Sequence, residues 1–126
     1  MKVGVAKETA PGERRVALVP EVLGKLKAAG LDILVEQGAG AGSSIPDAAY
    51  ADAGATIVST VDLYGDSDAI LRVQKPTASE ISVMKAGQTV LGLLQPLIDP
   101  QTAKALGDHG VTAISLDAIP RTLSRA

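Results

Sequence analysis

Apolar and polar positions alternate along the chain in two different patterns. Short apolar runs bounded by glycine or polar residues predict buried strands, and stretches in which apolar residues recur every three or four positions predict helices. The predicted strands are residues 2–6, 32–36, 56–58, 68–73, 89–94 and 111–116. The predicted helices are residues 20–29, 46–53, 77–85 and 100–109, with a single helical turn at 60–64.

Residues at the ends of the predicted helices support these bounds. Pro20 stands at a first helical position, where its missing N–H costs no hydrogen bond. Gly30 and Gly54 follow predicted helices and suit a left-handed cap. Thr77 and Glu80 have the spacing of a capping box.

The regular alternation of strands and helices predicts the fold class. It indicates an α/β domain with a doubly wound, mostly parallel sheet and helices on both faces, a three-layer arrangement like that of flavodoxin or a Rossmann domain. A chain of 126 residues is long enough for one such domain with its own core. No internal repeat and no disordered linker divides it.

Composition supports this prediction and excludes several functions. Apolar residues make up 46% of the chain but aromatic residues only 2%, so the core must consist of aliphatic side chains, as under parallel strands. The net charge of −2, without a basic stripe, does not favour nucleic acid binding. The chain has no cysteine and one histidine, His109, so we predict no disulfide and no metal site. His109 ends a predicted helix, where it suits a capping cation.

Nothing in the sequence predicts a membrane span or a secretory signal. The chain has no run of 18 apolar residues, and the apolar residues after Met1 and Lys2 are too few for a signal peptide. We therefore expect a cytoplasmic domain.

The glycine-rich loop at residues 38–44 has two interpretations. It lies between a strand and a helix, as a dinucleotide-binding loop does, with Gly38 and Gly40 as the first glycines but Ser43 in place of the third. No acidic residue ends the next strand to hold a ribose. The alternative is a loop whose glycines allow positive φ and close packing.

Three polar segments follow predicted strands, where ligands bind in doubly wound sheets. Arg14 and Arg15 suit a carboxylate or phosphate, or else a surface ion pair with Glu8 or Glu13. Gln74 and Gln95 each follow a strand. A glutamine donates and accepts hydrogen bonds but supplies no proton at neutral pH, and its alternative role is to bond loop backbone.

Several separated motifs match one known family in register. They are Lys7-Glu8-Thr9, Pro11 to Ala17, Pro20, Glu36 to Gly42, Tyr50 to Ala55, Val73 to Pro76, Leu93 to Pro96 and Arg121 to Ala126. Over its whole length the chain resembles the N-terminal domain of the alanine dehydrogenase and pyridine nucleotide transhydrogenase family. The resemblance implies two α/β domains with a cleft between them, of which these residues form the first.

The resemblance also separates the two branches of the family. Alanine dehydrogenases carry a lysine at the position of Gln74 and a histidine at that of Gln95, because oxidising an amino acid moves protons as well as a hydride. Hydride exchange between two nicotinamide rings takes no proton from a substrate, so glutamines suffice. The chain therefore resembles the NAD(H)-binding component of a transhydrogenase.

The resemblance implies the site residues. Gln74, Gln95 and Arg15 are the candidate catalytic residues; Arg15 matches an arginine that holds the substrate carboxylate in the dehydrogenases, and in a transhydrogenase we expect a structural or cofactor-side role for it. Arg121 is the candidate cofactor-binding residue. It matches the first residue of an Arg, Gln and Asp set around the nicotinamide, whose other two members would follow Ala126.

The resemblance finally implies cofactors and partners. NAD(H) would bind a Rossmann domain that is absent from residues 1–126, and NADP(H) would bind a partner component. A homodimer and a proton-translocating membrane component are implied, which would place the protein at the cytoplasmic face of the inner membrane. We expect no catalysis from residues 1–126 alone. The alternatives are a fragment of an alanine dehydrogenase-like enzyme and a stand-alone, non-catalytic domain.

Overall fold

The computed structural model describes residues 1–92 and 100–115 and shows an α/β sandwich. The strands are β1 (Lys2–Val5), β2 (Asp32–Glu36), β3 (Thr56–Val58), β4 (Ala69–Arg72), β5 (Thr89–Gly92) and β6 (Thr112–Ser115). The helices are α1 (Leu23–Ala28), α2 (Asp47–Asp52), α3 (Thr60–Asp66), α4 (Ala78–Ser82) and α5 (Pro100–Asp108). A 3-10 turn at Pro20–Val22 leads into α1.

The six strands form one sheet in the order β3-β2-β1-β4-β5-β6, and every pair is parallel. This is the strand order of the Rossmann fold rather than that of flavodoxin. The predicted fold class is therefore confirmed. The order reverses between β1 and β4, because the chain leaves β1 towards β2 on one side and leaves β4 towards β5 on the other.

The core lies in two layers, one on each face of the sheet. Alternation along β2 sends Ile33 and Val35 to one face and Leu34 to the other. The first face packs against α1 and α2 through Leu23 and Tyr50, both fully buried. The opposite face packs against α3, α4 and α5 through the buried residues Leu63, Tyr64, Ile81 and Leu106.

Most elements differ from their predicted bounds by only a few residues. Helix α3 extends to Asp66 instead of stopping at residue 64, because Leu63 and Tyr64 bury their side chains, and Ser59 caps its first turn by accepting from Asp62 N–H. Helix α4 is shorter than predicted, although its capping box is present. Gly30 and Gly54 have the predicted positive φ. The predicted ends of β5 and β6 at residues 94 and 116 lie outside the described residues.

An arginine is buried at the end of one strand of the sheet. Arg72, the last residue of β4, is 1% exposed. Its Nη1 donates to Tyr64 Oη at 2.7 Å and to Glu80 Oε2 at 2.8 Å, and its Nη2 lies 3.8 Å from Glu8 Oε1. Its Nε donates to the carbonyl oxygen of Gln74 at 3.0 Å. These four partners satisfy a cation that would otherwise be costly to bury.

Burial and the neighbouring side chains shift the pKa of Arg72 in opposite directions. Burial alone would lower the pKa of Arg72, but the neighbouring Tyr64, Glu80 and Glu8 outweigh it and the net shift is upward. Burial raises the pKa of Tyr64, which therefore stays protonated and can act as a donor to Glu80, 3.2 Å away. The cluster joins β4 to α3, α4 and the loop after β1.

The substitution Arg72→Met tests this cluster. It would leave Glu8 and Glu80 without their cation in a buried setting, so we expect a loss of about 3–5 kcal/mol in the free energy of unfolding, measured by urea denaturation. Lys104→Met is the matched control, because Lys104 pairs with Asp108 at 3.0 Å on the surface of α5 with 76% of its side chain exposed. It should cost less than about 1 kcal/mol. Equal losses in the two variants would contradict the assigned role of Arg72.

Candidate functional site

The polar side chains of the candidate site meet where the strand order reverses. The carboxyl ends of β1 and β4 are adjacent there, since Val5 pairs with Leu71 in the sheet. The loops that follow these two strands run to opposite sides and leave an open crevice, the position at which doubly wound sheets bind ligands. Residues 6–19 and 73–77 border this crevice.

Two carboxylates of the loop after β1 hold the residues that follow β4. Glu8, whose side chain is 2% exposed, accepts from Val73 N–H at 2.8 Å and from Gln74 N–H at 3.0 Å. Glu13 accepts from the side chain of Gln74, with 2.6 Å between Nε2 and Oε1. Backbone and side chain of Gln74 are therefore fixed by different residues of the same loop.

Glu13 also binds Arg15, and we call the three residues Glu13, Arg15 and Gln74 the Glu13 cluster. Arg15 donates to Glu13 from Nη2 at 2.7 Å, from Nε at 2.8 Å and from its backbone N–H at 2.9 Å. The Glu13 side chain is only 5% exposed, whereas that of Arg15 is 59% exposed. Charge-assisted forks of this kind have a well-defined geometry.

The cluster fixes the ionisation of its members. Hydrogen bonds from the Arg15 side chain, from Gln74 and from Arg15 N–H hold the pKa of Glu13 well below its usual value. The hydrogen bond to Glu13 in turn raises the pKa of Arg15. At neutral pH the cluster therefore contains an ion pair and a neutral amide. Neither charged member exchanges a proton readily.

The Glu13 cluster opens into a surface pocket of about 540 Å³ lined by residues 10–15 and Gln74. A smaller pocket of about 220 Å³ shares residues 13–15 with the first and is also lined by Lys7, Glu8 and part of the glycine-rich loop. Close to this second pocket, Glu36 at the end of β2 accepts from Lys7 N–H at 2.9 Å and from Thr60 Oγ1 at 2.6 Å. Carboxylates therefore hold the segments that follow β1, β3 and β4.

Two of the four predicted site residues lie within the described residues, and the structure brings them together. Arg15 and Gln74 are brought together through Glu13, although 61 residues separate Glu13 and Gln74 in the chain. Arg15 forms the ion pair with Glu13 that is one of the two roles the sequence allows. The side-chain amide of Gln74 donates to a side chain, that of Glu13, rather than to loop backbone. Gln95 and Arg121 lie outside the described residues, so their roles stay predictions.

The residues that hold the site are not evident from the sequence. It indicates Glu8 and Glu13 only as partners of surface arginines, and it does not pair Arg72 with Glu80. A signal is present nevertheless: Arg72 interrupts the apolar run Ala69 to Val73, and a charge inside a buried strand requires a partner. Which acidic residue supplies that partner depends on the strand order.

The glycine-rich loop is occupied by its own hydrogen bonds. Five of its seven N–H groups donate within the protein, from Gly38, Ala39, Ala41, Ser43 and Ser44, and so does the N–H of the following Ile45. A phosphate cradle needs such groups directed at the ligand. A Cβ added at Gly42 would lie 3.0 Å from the Arg14 backbone, where Ser43 Oγ also donates to the Arg14 carbonyl oxygen. The geometry favours the close-packing interpretation, in which this loop supports the loop after β1.

Neither a metal site nor a membrane span is found in residues 1–92 and 100–115. No group of three His, Cys, Asp or Glu side chains there could hold a metal ion. No helix among these residues is long and apolar enough to cross a membrane. His109 lies in the turn that follows α5, one residue past the helix that it is predicted to end.

An all-parallel sheet in this order, with polar side chains gathered at its reversal point, defines a Rossmann-like α/β domain. The family model described as alanine dehydrogenase/PNT, N-terminal domain, matches residues 4–126. The chain therefore belongs to the alanine dehydrogenase/PNT family, and the resemblance inferred from its motifs is confirmed.

Relatives from both branches of the family are similar to this chain. The first part of the NAD(P) transhydrogenase subunit alpha of Rhodospirillum rubrum is 39% identical over 100% of this chain and 34% of the relative. Alanine dehydrogenase of Mycobacterium tuberculosis is 36% identical over 94% of this chain and 32% of the relative. A crystal structure of transhydrogenase from Sinorhizobium meliloti superposes with a TM-score of 0.89 at 39% identity, over 96% of this chain and 36% of the other. The chain thus spans about a third of these relatives.

Replacing Gly40 tests the packing role of the glycine-rich loop. A Cβ at Gly40 would lie 2.7 Å from the Ile45 carbonyl oxygen and 2.8 Å from the Tyr50 ring. We expect Gly40→Ala to lower the free energy of unfolding by about 1–3 kcal/mol, measured by urea denaturation. Gly24→Ala is the control, since nothing lies within 4 Å of that position in α1, and it should stabilise by up to about 1 kcal/mol. A Gly40→Ala variant with the same free energy of unfolding as wild type would contradict the packing role.

The pH dependence of stability tests the Glu13 cluster. Because folding lowers the pKa of Glu13, its contribution is complete above the unfolded value near ~4.3 and is lost as the pH falls through the folded value. Wild type should therefore be more stable than Glu13→Gln from about pH 5 to about pH 8, and the difference should shrink below about pH 4. Thermal unfolding at several pH values measures it. A difference that persists unchanged in acid would show that Glu13 is not held ionised by its partners.

Proposed function

We propose that this chain is the N-terminal part of the NAD(H)-binding component of a proton-translocating NAD(P) transhydrogenase, which transfers hydride between NAD(H) and NADP(H). The observation that carries the proposal is Gln74. It occupies the position at which the dehydrogenase branch has a lysine, and it lies in a crevice at the reversal of strand order.

The chemistry of the Glu13 cluster supports the transhydrogenase branch. An alanine dehydrogenase must take up and release protons at its substrate, which requires a titratable group near the reacting carbon. In the Glu13 cluster the amide of Gln74 cannot titrate, and mutual hydrogen bonds keep Glu13 ionised and Arg15 protonated. A direct transfer of hydride between two rings needs position and electrostatics, not proton exchange.

The described residues fit one end of a dinucleotide better than the other. The pocket of about 540 Å³ presents an amide and a guanidinium, which suit the polar groups of a nicotinamide. The glycine-rich loop offers few unbonded N–H groups for a pyrophosphate. We infer that this domain forms one wall of the nicotinamide site and that a separate Rossmann domain holds the phosphates. NAD(H) supplies the hydride when bound; Gln74 and Arg15 orient the ring and help to exclude water.

Gln95 and Arg121 complete the proposed site. We infer from the family resemblance that Gln95 is the second residue that replaces an acid–base group and that Arg121 is a cofactor-binding residue. Both belong to the proposal on the strength of their motifs alone.

The partners follow from the same proposal. The R. rubrum relative is one part of a subunit, which supports a multicomponent assembly. We infer a homodimer that works with an NADP(H)-binding component and a membrane component, at the cytoplasmic face of the inner membrane. Proton translocation would belong to the membrane component.

Two assays on the complete gene product test the proposed function. With an NADP(H)-binding transhydrogenase component added, it should transfer hydride between NADPH and an NAD⁺ analogue. It should not oxidise NADH when given pyruvate and ammonium, because Gln74 supplies no acid–base group. The opposite pair of results would assign the chain to the alanine dehydrogenase branch.

A measurement of NADH binding distinguishes the third possibility, a non-catalytic domain, from the two enzymes. Calorimetric titration of the complete gene product should show binding, whereas residues 1–126 alone should show only the heat of dilution. Absence of binding in both proteins, together with no hydride transfer, would favour a module without a cofactor site.

A further inference from the structure

Glu13 holds more of the candidate site than any other described residue. Its Oε1 accepts from Arg15 Nη2 at 2.7 Å and from Gln74 Nε2 at 2.6 Å. Its Oε2 accepts from Arg15 Nε at 2.8 Å and from Arg15 N–H at 2.9 Å. Four donors surround one carboxylate whose side chain is 5% exposed.

This arrangement fixes which end of the Gln74 amide faces Glu13. A carboxylate surrounded by donors has no proton to give, so it accepts and does not donate. The amide must therefore turn its NH₂ group towards Glu13. Its carbonyl oxygen, Oε1, then forms the opposite end of the side-chain amide.

The backbone of Gln74 is fixed independently. Its N–H donates to Glu8 at 3.0 Å, and its carbonyl oxygen accepts from the buried Arg72 at 3.0 Å. With both the backbone and one end of the side chain held, the position of Oε1 is constrained, and Gln74 lines the pocket. Preorganisation of this kind is what a specificity-determining group needs.

We propose that Glu13 is a positioning residue that holds Gln74 so that Oε1 accepts a hydrogen bond from the carboxamide NH₂ of nicotinamide. Gln74 is then a specificity-determining residue for the carboxamide. The inference rests on the proposed function and names the group of NAD(H) that this domain recognises.

The chemistry of the pocket matches a primary amide. A carboxamide has one acceptor oxygen and an NH₂ donor group. Arg15 has five N–H donors, of which Nε and one at Nη2 bind Glu13. Gln74 lines the same pocket, and its Oε1 is an acceptor. The amino edge of adenine has a similar pair of groups, so the experiment must distinguish the two ends of the dinucleotide.

Binding of three reduced dinucleotides to the complete gene product tests the proposal. They are NADH, its 3-acetylpyridine analogue, which has a methyl ketone in place of the carboxamide, and its hypoxanthine analogue, which lacks the adenine amino group. Wild type should prefer NADH over the acetylpyridine analogue. Gln74→Leu, which keeps the approximate size and removes the acceptor, should reduce this preference about fivefold.

Glu13→Gln tests the positioning role separately. A neutral amide at position 13 can donate as well as accept, so it no longer selects one orientation of Gln74. The preference for NADH should fall as it does in Gln74→Leu, while far-ultraviolet circular dichroism at neutral pH shows the folded state. Gln37→Leu is the matched control: Gln37 is an exposed glutamine that follows β2 outside the pocket, and this variant should keep the wild-type preference.

Each contrary result overturns a stated part of the proposal. If Gln74→Leu weakens NADH and the acetylpyridine analogue equally, Gln74 does not recognise the carboxamide. If the preference over the hypoxanthine analogue falls instead, the pocket binds the adenine end. If Glu13→Gln keeps the wild-type preference, Glu13 does not orient the amide. In all three cases NADH still binds wild type and the proposed function stands, whereas failure of wild type to bind any of the three would remove both.

Discussion

The candidate site depends on the hydrogen bonds and ion pairs that the buried guanidinium of Arg72 makes. An arginine buried at the end of an inner strand must find partners for its donors within the protein, because water cannot reach it. Its partners come from α3, from α4, from the segment after β4 and from the loop after β1. Satisfying this one cation therefore positions several segments that are distant in the chain, and it brings Glu8 to the backbone of Gln74.

The same principle operates again at the surface with Glu13. There the central group is a carboxylate instead of a guanidinium, and it accepts hydrogen bonds from Arg15 and Gln74. The outer cluster is more exposed than the inner one, as the proposed ligand-binding role requires. The two clusters meet at Gln74: Arg72 and Glu8 hold its backbone, and Glu13 holds its amide. A rigid inner cluster with an accessible outer cluster is a general way to build a preorganised site.

Family membership and branch rest on different kinds of observation. Membership follows from the match over residues 4–126. Identities of 39% and 36% to members of the two branches do not separate them. The proposed separation rests on chemistry: a glutamine whose amide is held by an ion pair can orient a ligand but cannot exchange protons. The glycine-rich loop, which has the appearance of a phosphate site in the sequence, instead packs against the loop after β1.

The sequence by itself determined the elements, the fold class and the family of this protein. These conclusions depend on local signals, each of which lies within one element. They are the spacing of hydrophobic residues, the capping box of Thr77 and Glu80, and the glycines after helices. Arg15 and Gln74 could be selected in the same way, because each follows a predicted strand. Only the tertiary structure decided that β1 lies beside β4, and with it the pairing of Glu8 with Arg72 and of Glu13 with Gln74. Many strand orders satisfy the same pattern of apolar residues, and a contact between residues more than 60 positions apart exists only once one order has been selected.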